Sequence, residues 1–216
     1  LVIGDTVTRV KFEAAGNLRG KDRDKNGARL YHCPMLTFED HDRNNSGMTY
    51  VYPVVSRRAG GVSIGINLNT NNACNWACIY CQVENLKRGG PPPVDLALLR
   101  LELNRLLTEV IDGDFMQRAV PATERRLVDI AFSGNGEPTC AAEFAESVVI
   151  ARDALLERAL LPQVQLRLIT NGSQLHRPGV QRGIALLGEN SGEVWFKLDR
   201  VGIKATRIIN GIALAP

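Results

Sequence analysis

Four short apolar runs, separated by stretches with helical spacing, most restrict what this chain can become. They are residues 62–68 (VSIGINL), 127–132 (LVDIAF), 164–169 (VQLRLI) and 194–198 (VWFKL). The first is rich in β-branched residues and reads as a buried strand. The third alternates Val164, Leu166 and Leu168 with Gln165 and Arg167, a strand with one face on a core. Between the runs lie helical patterns. Asp95 stands as an N-cap ahead of Leu96, Leu99, Leu103, Leu106 and Val110, with Arg100, Asn104 and Glu109 off that face. This pattern stops near Asp112-Gly113. A second helix is expected over about 141–161, up to Pro162, a weaker one over about 180–187, and another from about 204 to 210. Strand–helix alternation at this spacing predicts an α/β fold with a parallel sheet and helices packed outside it. Polar residues follow each strand run, and that edge of a parallel sheet is where ligands bind.

A chain of 216 residues is long enough for one well-buried domain and a short appendage. Its 44% apolar and 23% charged residues are those of an ordinary globular protein. The expected division is a polar, glycine-containing lead-in over 1–49 and a core over 50–216. A net charge of +3 neither demands nor excludes a nucleic-acid partner. No stretch approaches the roughly 20 apolar residues that span a bilayer, so no membrane partner is expected. Residues 1–12 lack the basic-then-apolar order of a signal peptide, and the cytoplasm is the expected location.

Five cysteines occur, and three of them form the run Cys74-Asn-Trp-Ala-Cys78-Ile-Tyr-Cys81 directly after the first strand. A disulfide scaffold would spread an even number through a short secreted chain. Thiolates are the ligands of iron–sulfur clusters, and a cubane normally takes four. Three leave one iron open to chelate a small molecule and pass it an electron. Zinc is the alternative, as a metal module without catalysis, but structural zinc wants four ligands, usually as two close pairs. The second pair is missing: His32, Cys33 and His41 lie more than 30 residues upstream with no pair spacing. Asp22-Arg-Asp24-Lys-Asn26-Gly27 mimics the first half of a calcium loop, yet Cys33 holds the twelfth position, and the segment reads as a solvated loop. Arg57-Arg58 suits either an RNA phosphate or surface ion pairs. Cys33 and Cys140 are candidate extra ligands but read first as small buried residues, and Trp76 and Trp195 read as packing residues ahead of stacking platforms, with Trp76 inside the cysteine loop.

The C-x3-C-x2-C spacing, with Tyr80 just before the last cysteine and a strand just ahead, resembles the radical S-adenosylmethionine (SAM) superfamily over about residues 50–210. The resemblance implies a partial (βα) barrel. It implies that Cys74, Cys78 and Cys81 hold a [4Fe–4S] cluster. SAM would bind the open iron through its amino and carboxylate groups. One electron, from a reductant such as a flavodoxin or ferredoxin, would cleave it to a 5′-deoxyadenosyl radical that abstracts hydrogen from the substrate. Asn135-Gly136-Glu137 stands where the family has Gly-Gly-Glu. That places Gly136 and Glu137 at the SAM ammonium, which offers three donors, and puts Asn at the first glycine. Tyr80 is implied near the adenine. Thr170, Asn171 and Ser173 are implied at the ribose or methionyl carboxylate. Lys197 and Asp199 end the fourth strand on the same rim, toward SAM or the substrate. More narrowly, residues 50–68 with Pro53-x-x-Ser56-Arg57-Arg58, and the turn Ser133-Gly-Asn-Gly-Glu-Pro-Thr139, resemble the branch of wyosine-type tRNA-modifying synthetases, which makes RNA a candidate substrate. The family barrel has six βα units. Four strands with 18 residues after Leu198 fall two short at roughly 30 residues per unit. The expectation is a core cut short at its C-terminus or completed by another chain, and an inactive fragment stands beside the metal module as the alternative.

Overall fold

The computed structural model describes residues 35–37, 46–56, 59–199 and 202–212, all within a unit that spans His32–Pro216. The calcium-like loop, His32, Cys33, His41, the Arg57-Arg58 pair and most of the 1–49 lead-in lie outside the described residues. In chain order the elements are strands β1 (Val51–Ser56) and β2 (Gly61–Ile66), two-residue strands β3 (Ala73–Cys74) and β4 (Lys87–Arg88), and helices α1 (Leu96–Ile111) and α2 (Phe115–Ala119). Then follow β5 (Leu127–Phe132), α3 (Phe144–Leu156), β6 (Gln165–Thr170), α4 (Pro178–Glu189), β7 (Glu193–Phe196) and α5 (Ile203–Asn210).

The apolar run that opens the core becomes β2, buried at all six positions. It pairs parallel with β5, β5 with β6, and β6 with β7. A strand absent from the sequence reading, β1, adds antiparallel to the free side of β2. The sheet therefore has five strands in the order β1-β2-β5-β6-β7 and is mostly, not wholly, parallel. Pro53 explains the omission. Proline lacks the N–H of a central ladder, which argues against a strand, but an edge position tolerates it.

The four parallel strands run in sequence order with no reversal. Right-handed crossovers then place their connecting helices on one face. There Leu99, Leu103, Leu106 and Leu107 of α1 and Phe144, Val148, Ala151 and Leu155 of α3 join one core with Ile64, Ile130, Phe132, Leu166 and Leu168. The Phe132 and Phe144 rings meet edge to face, 5.7 Å between centroids. The alternate strand positions point the other way and carry a polar ladder. Asp129 accepts from Ser63 and Arg167. Arg167 also donates to Glu193 (3.0 Å) and Gln165 (2.7 Å) and lies 4.7 Å over the Trp195 ring.

Helix limits follow local chemistry. The Asp95 carboxylate caps α1 by accepting from the Leu98 N–H at 3.0 Å. Asp95→Ala is expected to destabilise the chain by about 1 kcal/mol in urea titration, and an unchanged midpoint would show that the cap is replaced by solvent. Buried Glu102 on α1 accepts from the Thr49 and Tyr50 N–H groups at 2.7 and 2.8 Å, which pins the chain as it enters β1. The helix expected over 141–161 is shorter. A single 3-10 turn, Pro138–Cys140, and extended Ala141 precede it, and left-handed Ala159 follows its end. α4 is longer than expected because Pro178 sits in its first turn, where a missing N–H costs nothing. β7 ends two residues sooner than the apolar run suggested.

Candidate functional site

Just past the C-terminal ends of the parallel strands, short polar side chains join one strand exit to the next. After β2, the Asn67 side-chain oxygen Oδ1 accepts from the Asn69 N–H (3.1 Å) and, across the sheet, from the Asn135 N–H (3.0 Å). Asn69 in turn donates to the Ala73 carbonyl at 2.9 Å. The turn after β5 lies hard against this exit. A Cβ on Gly136 would stand 2.2 Å from the Ala73 carbonyl oxygen, so no larger residue fits.

The cysteine loop is closed at its base by β3 pairing with β4. Asn75 ties it to the end of β6, donating to Ser173 Oγ (2.6 Å) and accepting from the Asn171 amide (3.1 Å). On the opposite side α5 holds it. The Ala77 N–H donates to the Asn210 carbonyl (3.0 Å) and the Ile79 N–H to that of Ile209 (2.9 Å). The Asn210 amide donates to Cys78 Sγ at 3.2 Å and to Asp199 at 2.7 Å. The Tyr80 hydroxyl donates to the same Asp199 oxygen at 2.5 Å.

These contacts shape a cleft of about 250 Å³. Of the residues singled out in the sequence, Cys74, Cys78, Cys81, Tyr80, Gly136, Glu137, Asn171 and Lys197 line it. Thr170, Ser173 and Asp199 do not line it but bond to Glu137, Asn171 and Tyr80, which do. Thr170 is buried, and its hydroxyl donates to Glu137 Oε1 at 2.6 Å. Glu137 is itself buried and also accepts from the Thr139 hydroxyl (2.5 Å) and, at Oε2, from the Asn171 N–H (2.6 Å). Trp76, Gln82, Asn135 and Ile169 line the cleft as well. Ile169 was not singled out in the sequence, although strand alternation puts it on the face opposite buried Leu168.

The electrostatics favour a cation. Burial pushes the Cys74 thiol up, and negative charge on Glu137 and Cys78 acts the same way, partly offset by N–H groups of Trp76 and Glu137. Burial, then the charges of Glu137 and Cys74, push Cys140 up to about 12. Burial and the bond to Asp199 push the Tyr80 phenol up, so it remains a donor. All four described cysteines are free thiols. Among the described residues, no three His, Cys, Asp or Glu side chains are gathered into a set that could hold a metal ion in this conformation. In type and number the donors do fit a cluster held at three corners, because three free thiols on one loop share one cleft.

Fold and cleft together define a mostly parallel α/β protein with a thiol-lined cleft at the C-terminal edge of its sheet. Among the described residues, no helix is long and apolar enough to cross a membrane. The chain is similar to a UPF0026 protein of Helicobacter pylori (strain J99), 26% identical over 154 residues that make up 71% of this chain and 43% of the relative. It is 29% identical over 158 residues to the UPF0026 protein MJ1312 of Methanocaldococcus jannaschii, covering 73% of this chain and 42% of that one. A GTPase Obg of Brachyspira hyodysenteriae aligns at 25% identity over 177 residues, 80% of this chain and 22% of the GTPase. The chain thus spans less than half the length of these curated relatives. No family model matches it, and no solved structure does.

Proposed function

We propose that this chain carries the core of a radical SAM enzyme, with its sheet part of a (βα) barrel and Cys74, Cys78 and Cys81 the ligands of a [4Fe–4S] cluster. One observation carries the reading: three thiols and a buried carboxylate face one cleft at the C-terminal edge of parallel strands in sequence order. When bound, the cluster supplies an open iron position and the electron that cleaves SAM, starting radical chemistry on a substrate.

The chain's own residues have definite parts in this scheme. The Cys74 thiol, pushed up by burial and by neighbouring negative charge, becomes a thiolate only when a cation joins it, which iron provides. Glu137 Oε2 accepts the Asn171 N–H and keeps lone-pair capacity for one N–H of the SAM ammonium. Tyr80, fixed by Asp199, stands half exposed at the mouth where the adenine would lie. Trp76 and Ile169 give the cleft an apolar surface that limits water. Lys197 sets a positive charge on the rim for a carboxylate or an anionic substrate, RNA included. Exposed Cys81 marks the side for a flavodoxin or ferredoxin. A cytoplasmic location follows from the need to keep these thiols reduced.

A second reading has its own observation. Cys140 is near enough to Cys74 for the charge of one to raise the other. A fourth thiol would complete a zinc site or a fully ligated electron-transfer cluster without catalysis. Anaerobic reconstitution with iron and sulfide, then EPR of the reduced protein with and without SAM, separates the two. A [4Fe–4S] signal that changes on adding SAM is expected. A signal indifferent to SAM, or stoichiometric zinc with no cluster, rejects the enzyme reading.

A further inference from the structure

We infer that Asn210 is a positioning residue that donates an N–H···S hydrogen bond to Cys78 and raises the reduction potential of the cluster held there. The inference rests on the proposed function and concerns a residue outside the cysteine motif, 132 positions from its partner.

α5 is an exposed helix with a single buried residue, Asn210, 2% exposed. Burying an amide is unfavourable unless its groups are bonded, and here each partner belongs to the cysteine loop or to Asp199 beside it. The side-chain nitrogen has two hydrogens. One meets Cys78 Sγ at 3.2 Å and the other Asp199 Oδ2 at 2.7 Å. The orientation of the amide is fixed by chemistry. Turned over, its carbonyl oxygen would face a sulfur and a carboxylate, both acceptors. The backbone at the same helix end grips both neighbours of Cys78, with Ala77 bonded to the Asn210 carbonyl and Ile79 to that of Ile209. Gly211, left-handed at φ 60°, lets the helix end come this close, because a Cβ there would sit 2.8 Å from the Ala77 carbonyl oxygen.

A hydrogen bond to a ligating sulfur stabilises the more negative, reduced state more than the oxidised one, which raises the potential. Removing it should therefore lower the potential. The test is midpoint titration, followed by EPR, of the reconstituted chain and of Asn210→Ala and Asn210→Asp, with iron content and circular dichroism measured on each. Asn210→Asp keeps the side-chain shape, so it remains readable if the alanine variant folds poorly. Asn210→Ala is expected to lower the reduced-to-oxidised ratio at a fixed potential about tenfold, or about 59 mV for one electron. Asn210→Asp should shift in the same direction, because its carboxyl, placed where the amide lies 2.7 Å from Asp199, shares a proton with that carboxylate and leaves no N–H for the sulfur. Full loading in both variants with an unchanged or raised potential overturns the inference and leaves the enzyme reading standing. Folded variants that both fail to load also overturn it, by making Asn210 a determinant of assembly. Absence of a cluster in the parent chain removes the enzyme reading and this inference together.

Discussion

Gly136→Ala is expected to destabilise the chain by about 3 kcal/mol, at the upper end of overpacking effects, and to loosen the floor of the cleft. The added methyl would stand 2.2 Å from the Ala73 carbonyl oxygen and 2.6 Å from Asn69 Nδ2. Neither can give way cheaply. Ala73 begins β3, whose pairing with β4 closes the cysteine loop, and Asn69 is buried and bonded to that same carbonyl. The strain must push the turn after β5 away from the loop, carrying Glu137 away from Cys74. Gly188→Ala on α4 is the control, since a Cβ there meets nothing within 4 Å. In a helix that exchange is neutral or favourable by up to about 1 kcal/mol. Urea unfolding of the two variants should diverge. Equal midpoints would mean that the turn and the loop are not in register as described.

What could be read in advance is what depends on near neighbours in the sequence. The α1 helix starts where Asp95 said it would, because capping and a 3.6-residue apolar period are local properties. The parallel strands were legible for the same reason. β1 was hidden by Pro53, and β3 and β4, two residues each, owe their pairing to the loop they close. In the site, the run of cysteines and several of the strand-end polar residues meet in one cleft. Their bonding partners were not legible. Glu137 was expected to await a ligand's ammonium, yet it is already held by Thr139, Thr170 and Asn171, the last two lying 33 and 34 residues away. Asn67 fell inside the first expected strand run and Asn69 just after it, and neither position showed that both amides would be buried. Asn210 left one faint signal, the Asn-Gly step that commonly ends a helix. Nothing local ties that step to Cys78, because the contact exists only once the sheet has brought α5 to the cysteine loop.

Cys78→Ala should abolish cluster uptake and SAM cleavage while leaving the fold almost unchanged, and that combination distinguishes ligation from packing. Cys78 is only partly buried, and its sulfur accepts a hydrogen bond from the Asn210 amide. Losing a contact of this kind outside the core shifts stability by about 0.5 kcal/mol. Loss of one of three thiolates leaves two, too few to hold a cubane at three corners, so iron per chain should fall to the level of an unreconstituted sample. Cys78→Ser is a closer match in shape and should behave the same way, since a serine hydroxyl stays protonated where a thiol ionises to bind metal. Cys140→Ala completes the set. If three cysteines hold the cluster, this variant keeps the SAM-responsive EPR signal, because Cys140 contributes only a thiol that burial and neighbouring charge push up to about 12. If instead Cys140→Ala and Cys78→Ala both lose the metal, four thiols hold it, no iron stays open, and the cleft belongs to a fully ligated metal module.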